Sequence, residues 1–243
     1  MNKPEKISNL DWDLLQKKYQ NLDLIIEKIN NNYPVQYLIG NVSFYGYQIN
    51  VNPYVLIPRF ETEVLVEKTI EYINKLGLNN GKVLEIGTGS GCISVVLKKE
   101  VNNLEIDAID ISRNAIRVAK GNAKLNDATI NFISKDMFKF NSSKYYDVIV
   151  SNPPYISPKD NVSANTKYEP YQAIYTDKPL KYYEQIFKIA KSNLNKKFLI
   201  ALEIDEEEGY NLKMMAKEYF IDAEIVLNKD LAGKDRYLFV INE

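Results

Sequence analysis

From Glu61 to the C-terminus, short apolar runs rich in valine and isoleucine alternate with stretches whose apolar residues recur every three or four positions. The runs Lys82 to Ile86, Glu105 to Asp110, Thr129 to Ser134, Asp147 to Ser151, Phe198 to Ile204, Glu224 to Leu227 and Tyr237 to Ile241 predict strands. Helical spacing falls between most of them, around Thr62 to Lys75, Cys92 to Lys99, Asn114 to Leu125, Lys181 to Leu194 and Tyr210 to Phe220. Such alternation restricts the fold sharply, because parallel neighbouring strands need long crossovers and helices supply them on both faces of the sheet. The expectation is a parallel, doubly wound α/β fold over residues 61–243.

The segment before it differs. Trp12, Leu15, Tyr19, Leu22, Ile25, Ile26 and Ile29 mark one apolar face of a helix running from Leu10 to Ile29, with Ser8 and Asp11 suited to its start. After Tyr33-Pro34 come short runs of valine, isoleucine and tyrosine broken by Gly40, Gly46, Pro53 and Pro58, as in a small hairpin. A small helical N-terminal domain over 1–36 and a β-hairpin connector over 37–60 are therefore expected.

Histidine is absent, so any chemistry proceeds without an imidazole base, a Ser-His-Asp triad or a histidine-bound metal. The single cysteine, Cys92, excludes an internal disulfide and a cysteine-cluster metal site, and fits a reducing, cytoplasmic setting; no metal is expected. A net charge of -1, from 31 basic and 32 acidic residues, provides no overall attraction to phosphate backbones or anionic membranes. The polar start Met1-Asn2-Lys3-Pro4-Glu5-Lys6 lacks the apolar region of a secretion signal, and no stretch approaches a membrane span. A cytoplasmic monomer without a direct nucleic-acid substrate is the expectation.

Glu85-Ile86-Gly87-Thr88-Gly89-Ser90-Gly91 closes the first predicted strand of this sheet and runs into a helix. Glycines at alternate positions let the backbone turn sharply and let a ligand approach the helix N-terminus with no Cβ in the way. Nineteen residues beyond Gly91, Asp110 ends the next strand, where a carboxylate can accept both hydroxyls of a ribose. The G-x-G-x-G spacing departs from the dinucleotide G-x-G-x-x-G pattern and favours S-adenosyl-L-methionine over NAD. Asp136-Met137, at the end of the third strand, lies on the same edge, with Asp136 placed to meet an adenine edge. Met137 suits covering the ring or plain core packing equally.

Ser151-Asn152-Pro153-Pro154-Tyr155 ends the fourth strand. Two prolines fix φ and remove two backbone donors, leaving a rigid extended turn. The Asn152 side-chain carbonyl and the Pro153 backbone carbonyl are two acceptors suited to the hydrogens of a planar NH2 group, and Tyr155 offers a flat face for stacking. The target is an amide or an aromatic amine, whose delocalised lone pair makes it a poor nucleophile that the site must align and whose growing positive charge it must stabilise. Asn152, Pro153, Pro154 and Tyr155 are the candidate catalytic residues. Gly87 to Gly91, Asp110, Asp136, Met137 and Asn152 are the candidates for the cofactor.

At these residues the chain resembles the protein-(glutamine-N5) methyltransferases of peptide chain release factors, the PrmC/HemK family. The resemblance runs from about Tyr33 to the C-terminus. It is carried by Pro34 to Gly40, Val55 to Glu63, the Glu85 to Cys92 loop, Asp110-Ile111-Ser112, Val150 to Ile156, Tyr168-Glu169-Pro170 and Lys229 to Arg236. It implies a class I S-adenosylmethionine-dependent methyltransferase fold and transfer of a methyl group to the side-chain amide of the glutamine in a release factor's Gly-Gly-Gln motif. By that match Gly87 to Gly91 cradle the methionine part of the cofactor, Asp110 holds the ribose, Met137 lies at the adenine, and Asn152 to Tyr155 hold the glutamine. The family's helical N-terminal domain looks shortened here, and two family glycines are replaced, one by Asp205 and one around Lys178-Pro179.

Three residue types keep two readings. Arg59 suits either an anchor at the rim of a substrate cleft or a place beside a helix start, while Glu61 and Glu63 suit that rim or a helix N-terminus decorated with acids. Cys92 suits either a reactive thiol at a helix start or a small packing residue, the second fitting better. As whole-chain alternatives, the same grip would serve the exocyclic amine of adenine or guanine, and a non-catalytic cofactor-binding module is a third reading.

Overall fold

The computed structural model describes residues 3–160 and 162–243; Met1 and Asn2 of the polar start lie outside the described residues. The chain opens with α1 (Asn9–Lys18) and α2 (Asp23–Asn30), then α3 (Val35–Ile39) and the antiparallel hairpin of β1 (Asn41–Phe44) and β2 (Tyr47–Asn50). The single helix expected over Leu10 to Ile29 is thus two. Ser8 caps α1 through Asp11 N–H as expected, but the helix stops where Tyr19 turns extended and its hydroxyl donates to Leu38 O at 2.9 Å. Asn21 Oδ1 then accepts from Asp23 N–H at 3.0 Å and starts the second helix. The apolar spacing survives because both helices turn Trp12, Leu15, Ile25 and Ile29 towards Leu38 in one small core, and periodicity is blind to a break that preserves the face. Of the residues expected to be extended after Pro34, Val35–Ile39 are helical and Gly40 ends the turn with φ 94°. The hairpin is present, closed by Tyr45 and Gly46 at φ 50° and 80°.

The main sheet has seven strands. In chain order its elements are α4 (Phe60–Leu76), β3 (Lys82–Ile86), α5 (Cys92–Glu100), β4 (Glu105–Asp110), α6 (Arg113–Leu125), β5 (Asn131–Ser134) and β6 (Tyr146–Ser151). There follow α7 (Tyr171–Ile174), α8 (Pro179–Asn193), β7 (Leu194–Glu203), α9 (Gly209–Tyr219), β8 (Glu224–Lys229) and β9 (Asp235–Asn242). The spatial order is β5-β4-β3-β6-β7-β9-β8. The α/β, doubly wound fold is therefore borne out, with one correction: β9 runs antiparallel to both β7 and β8. Only the turn at Asp230–Lys234, where Gly233 has φ 79°, separates β8 from β9, and a connection that short permits an antiparallel return alone.

Alternation along the strands divides the core in two. Val83, Val148, Val150, Leu199 and Ala201 face α4, α5 and α6, whereas Leu84, Ile149, Ile200 and Leu202 face α8 and α9. Buried Asn122 of α6 ties the hairpin to this body, exchanging hydrogen bonds with Asn50 (2.8 and 2.9 Å) and donating to Ser90 O at 2.9 Å. The strand order reverses between β3 and β6, where open α/β sheets form a crevice beyond their carboxyl ends.

Candidate active site

At that crevice β3 ends in the glycine loop. Gly87, Gly89 and Gly91 take φ of 76°, 54° and 80°, left-handed conformations that side chains resist. The loop is pinned by Gly87 N–H and Thr88 N–H, which both donate to Ile109 O, and by Gly89 N–H, which donates to Asp110 Oδ2 at 2.9 Å. Asp110 Oδ1 accepts from Ser112 N–H at 2.8 Å, and Ser112 caps α6 by accepting from Ala115 N–H. Each Asp110 oxygen keeps a lone pair for a ligand. A cavity of about 260 Å³ opens over Gly87, Gly89, Asp110, Ile111, Asp136 and Met137, with Phe138 and Tyr182 stacked edge to face beside it.

A second cavity, of about 280 Å³, lies on the far side of Asn152-Pro153-Pro154 and is lined by Arg59, Tyr155, Ile156, Thr166 and Glu203. Asn152, Pro153 and Pro154 line both cavities, so groups lodged in the two meet at that turn. Among the described residues none donates a hydrogen bond to Asn152 Oδ1 or to the Pro153 carbonyl. Beyond the second cavity, Arg59, Glu61, Asp205, Glu206, Glu207 and Arg236 surround an outer basin.

Burial governs the electrostatics. Glu85 is wholly enclosed and burial pushes its carboxyl up to about 7; its Oε2 accepts from the Thr88 and Ser94 hydroxyls, and its Oε1 has no partner. Burial raises Asp110 against the opposing backbone donors Ser112 N–H and Gly89 N–H. Glu203, 2% exposed, is raised by burial and accepts from Thr62 Oγ1 at 2.8 Å and Tyr155 OH at 3.0 Å. Burial and the Glu203 charge hold the Tyr155 phenol protonated. The Cys92 thiol, enclosed in the first turn of α5, is pushed up to about 12, chiefly by burial and next by Glu85; it is a packing residue.

Of the sequence candidates, Gly87, Gly89, Asp110, Asp136, Met137 and Asn152 all face the first cavity. Thr88, Ser90 and Gly91 do not: Thr88 turns inward to Glu85, Ser90 O receives Asn122, and Gly91 packs on α6. Asp136 Oδ1 accepts from Phe138 N–H, and Met137 also packs against the α8 core. Tyr155 faces the second cavity and the outer basin but not the first cavity. Arg59 lies at the rim as one reading had it, although Glu169, buried to the last side-chain atom, holds it at 2.5 Å and also accepts from Ile57 N–H. Sequence reasoning assigned no role to Thr62, Glu85, Glu169 or Glu203. A signal existed for two of them, since Val83-Leu84-Glu85-Ile86 and Ala201-Leu202-Glu203-Ile204 each place a lone carboxylate inside an apolar strand.

Residues 61–212 match the family model described as the methyltransferase small domain. The chain is 36% identical over 98% of its length to a release factor glutamine methyltransferase of Flavobacterium psychrophilum, covering 82% of that protein. It is 35% identical to one of Lactococcus lactis, covering 97% of this chain and 89% of the relative. Among solved structures, a release factor-specific protein-(glutamine-N5) methyltransferase of Alicyclobacillus acidocaldarius superposes with TM-score 0.51 and 25% identity, covering 80% of this chain and 99% of that one. The fold is shared with a Thermus thermophilus 16S rRNA methyltransferase solved with AdoMet and guanosine, at TM-score 0.61 and 15% identity, covering 84% of this chain and 50% of that one.

Proposed function

The chain belongs to the release factor glutamine methyltransferases, and from that membership we propose that it methylates the side-chain amide nitrogen of the Gly-Gly-Gln glutamine in peptide chain release factors, using S-adenosyl-L-methionine. The observation that carries the reading is the turn Asn152-Pro153-Pro154, which walls both cavities and presents two free acceptors there.

The first cavity fits the cofactor on its own geometry. A Cβ at Gly87 or Gly89 would project into open space, so the loop leaves a bare cradle, and Asp110 has lone pairs to spare for a ribose. Exposed Ile111 and half-buried Met137 offer apolar faces for an adenine, with Asp136 Oδ2 at its edge. When bound there, the cofactor supplies an electrophilic methyl group. In the second cavity Asn152 Oδ1 and the Pro153 carbonyl would each accept one hydrogen of the target NH2, fixing the amide plane and drawing positive charge onto the nitrogen as it reacts. Tyr155, its hydroxyl committed to Glu203, presents its ring to the flat amide. Among the described residues no side chain lining the second cavity is a ready base: Glu203 is engaged by two donors and Arg59 is a permanent cation paired with Glu169, so the nitrogen's proton leaves to water.

The test is mass spectrometry of a release factor incubated with the protein and S-adenosylmethionine, beside a release factor whose Gly-Gly-Gln glutamine is replaced, with DNA and RNA as competing acceptors. One added methyl on that glutamine, lost in the replaced substrate and reduced at least about a hundredfold by Asn152→Ala, is expected. Label appearing in nucleic acid alone would overturn the reading.

A further inference from the structure

Asn152 has two ends, and only one orientation serves an NH2 acceptor. Its Nδ2 lies 3.1 Å from Thr62 Oγ1, and that hydroxyl lies 2.8 Å from Glu203 Oε2. Thr62 and Glu203 are 3% and 2% exposed, so no bulk water competes for these bonds. A carboxylate only accepts, and a hydroxyl has a single proton. Thr62 therefore spends its proton on Glu203 and turns only lone pairs towards Asn152, which can meet them only with its NH2. The carbonyl Oδ1 is then forced to the opposite side, into the seam between the two cavities. The other Glu203 oxygen holds the Tyr155 hydroxyl at 3.0 Å, so the same buried carboxylate fixes the ring on the far side of the grip.

We propose that Glu203 and Thr62 are positioning residues that set the polarity of the amide grip, with the Glu203 carboxylate dictating the Thr62 hydroxyl and the hydroxyl dictating which end of Asn152 faces the target nitrogen. The inference rests on the methyl-transfer reading for the meaning of the grip, while the chain of bonds stands on its own. Three elements far apart in sequence meet here: the first turn of α4, the end of β6 and the end of β7. It also specifies the target's chemistry. A grip locked with both acceptors outward requires a nitrogen carrying two hydrogens; it excludes a carbonyl, whose lone pairs would face Oδ1, and an already disubstituted nitrogen, which has no hydrogen to donate.

The experiment uses the full chain. In wild-type protein labelled with 15N-asparagine, with Asn152 assigned by its loss in Asn152→Ala, the Asn152 side-chain NH2 is expected to exchange slowly and to shift when Thr62 becomes valine. In turnover on release factor, Thr62→Val is expected to lower kcat about ten- to a hundredfold, with KM and calorimetric affinity for S-adenosylmethionine within about threefold of wild type. Thr62→Ser, which restores the hydroxyl, is expected to recover kcat to within about threefold. A fast-exchanging Asn152 NH2 in wild type overturns the proposal without need of any variant, as does a folded Thr62→Val protein with wild-type kcat. If wild type leaves the release factor unmodified, the substrate reading fails, and the exchange measurement still decides the polarity of Asn152.

Discussion

Glu85 stands inside the end of β3, where burial favours the protonated carboxyl and outweighs the Thr88 and Ser94 hydroxyls, whose bonds to one of its oxygens favour the ion. Its folded pKa of about 7 lies above the roughly 4.3 of an unfolded glutamate. Between those values the folded chain holds a proton that the unfolded chain has released, so stability falls as pH rises through the window and levels off above about 7. The span corresponds to about 4 kcal/mol. Thermal melts of wild type are expected to lose midpoint from pH 5 to 7.5, whereas in Glu85→Gln, which cannot ionise, that loss should shrink markedly. An equal slope in the variant would place the titration elsewhere.

At the scale of the element, the glycine loop separates its two duties. Gly87 and Gly89 leave space for a ligand, but Gly91 serves packing: it has φ 80°, and a Cβ there would meet Ala119 Cβ of α6 at 3.0 Å. Gly91→Ala combines backbone strain with a clash against a neighbouring helix and is expected to cost about 1–3 kcal/mol in urea denaturation. Gly121, exposed within α6 with nothing near its missing Cβ, makes the internal comparison; Gly121→Ala is expected to stabilise by about 0.5–1 kcal/mol. The two family glycines replaced here fall where the backbone makes no such demand. Asp205 takes φ -69° and caps the turn after β7 by accepting from Glu207 N–H, and Pro179 occupies the first turn of α8, where a missing N–H costs nothing.

Across the whole molecule, the three N-terminal helices enclose a core of their own, built from Ile7, Trp12, Leu15, Ile25, Ile29 and Leu38. Among their ties to the rest are the Tyr33–Tyr168 edge contact, the Tyr168 OH to Asn31 O bond at 3.0 Å and the Tyr37 hydroxyl on Val55 O. Six buried side chains are a small store of hydrophobic stabilisation beside the two large cores flanking the sheet. Trp12 is the only tryptophan and is buried among them, so its emission reports on this unit alone. In a urea titration the Trp12 emission is expected to shift at lower denaturant than the loss of far-ultraviolet dichroism, which the sheet and its flanking helices dominate. Coincident transitions would mean that the N-terminal helices and the sheet unfold as one.

What the linear chain determined is what depends on neighbours in sequence. Strand and helix periodicity, the glycine loop and the rigid Asn-Pro-Pro-Tyr turn are local properties, and from them follow the doubly wound sheet, the carboxyl edge and the candidates Gly87, Gly89, Asp110 and Asn152. The break at Tyr19, the antiparallel β9 and the inward turn of Thr88 and Ser90 were decided by contacts with Leu38, by a short turn and by Glu85 and Asn122. The partnership of Thr62, Asn152 and Glu203 belongs wholly to tertiary structure, since residues separated by 90 and 141 positions become neighbours only when the sheet closes. The amide that does the gripping is written in the sequence; which way it faces is set by a buried carboxylate on another strand.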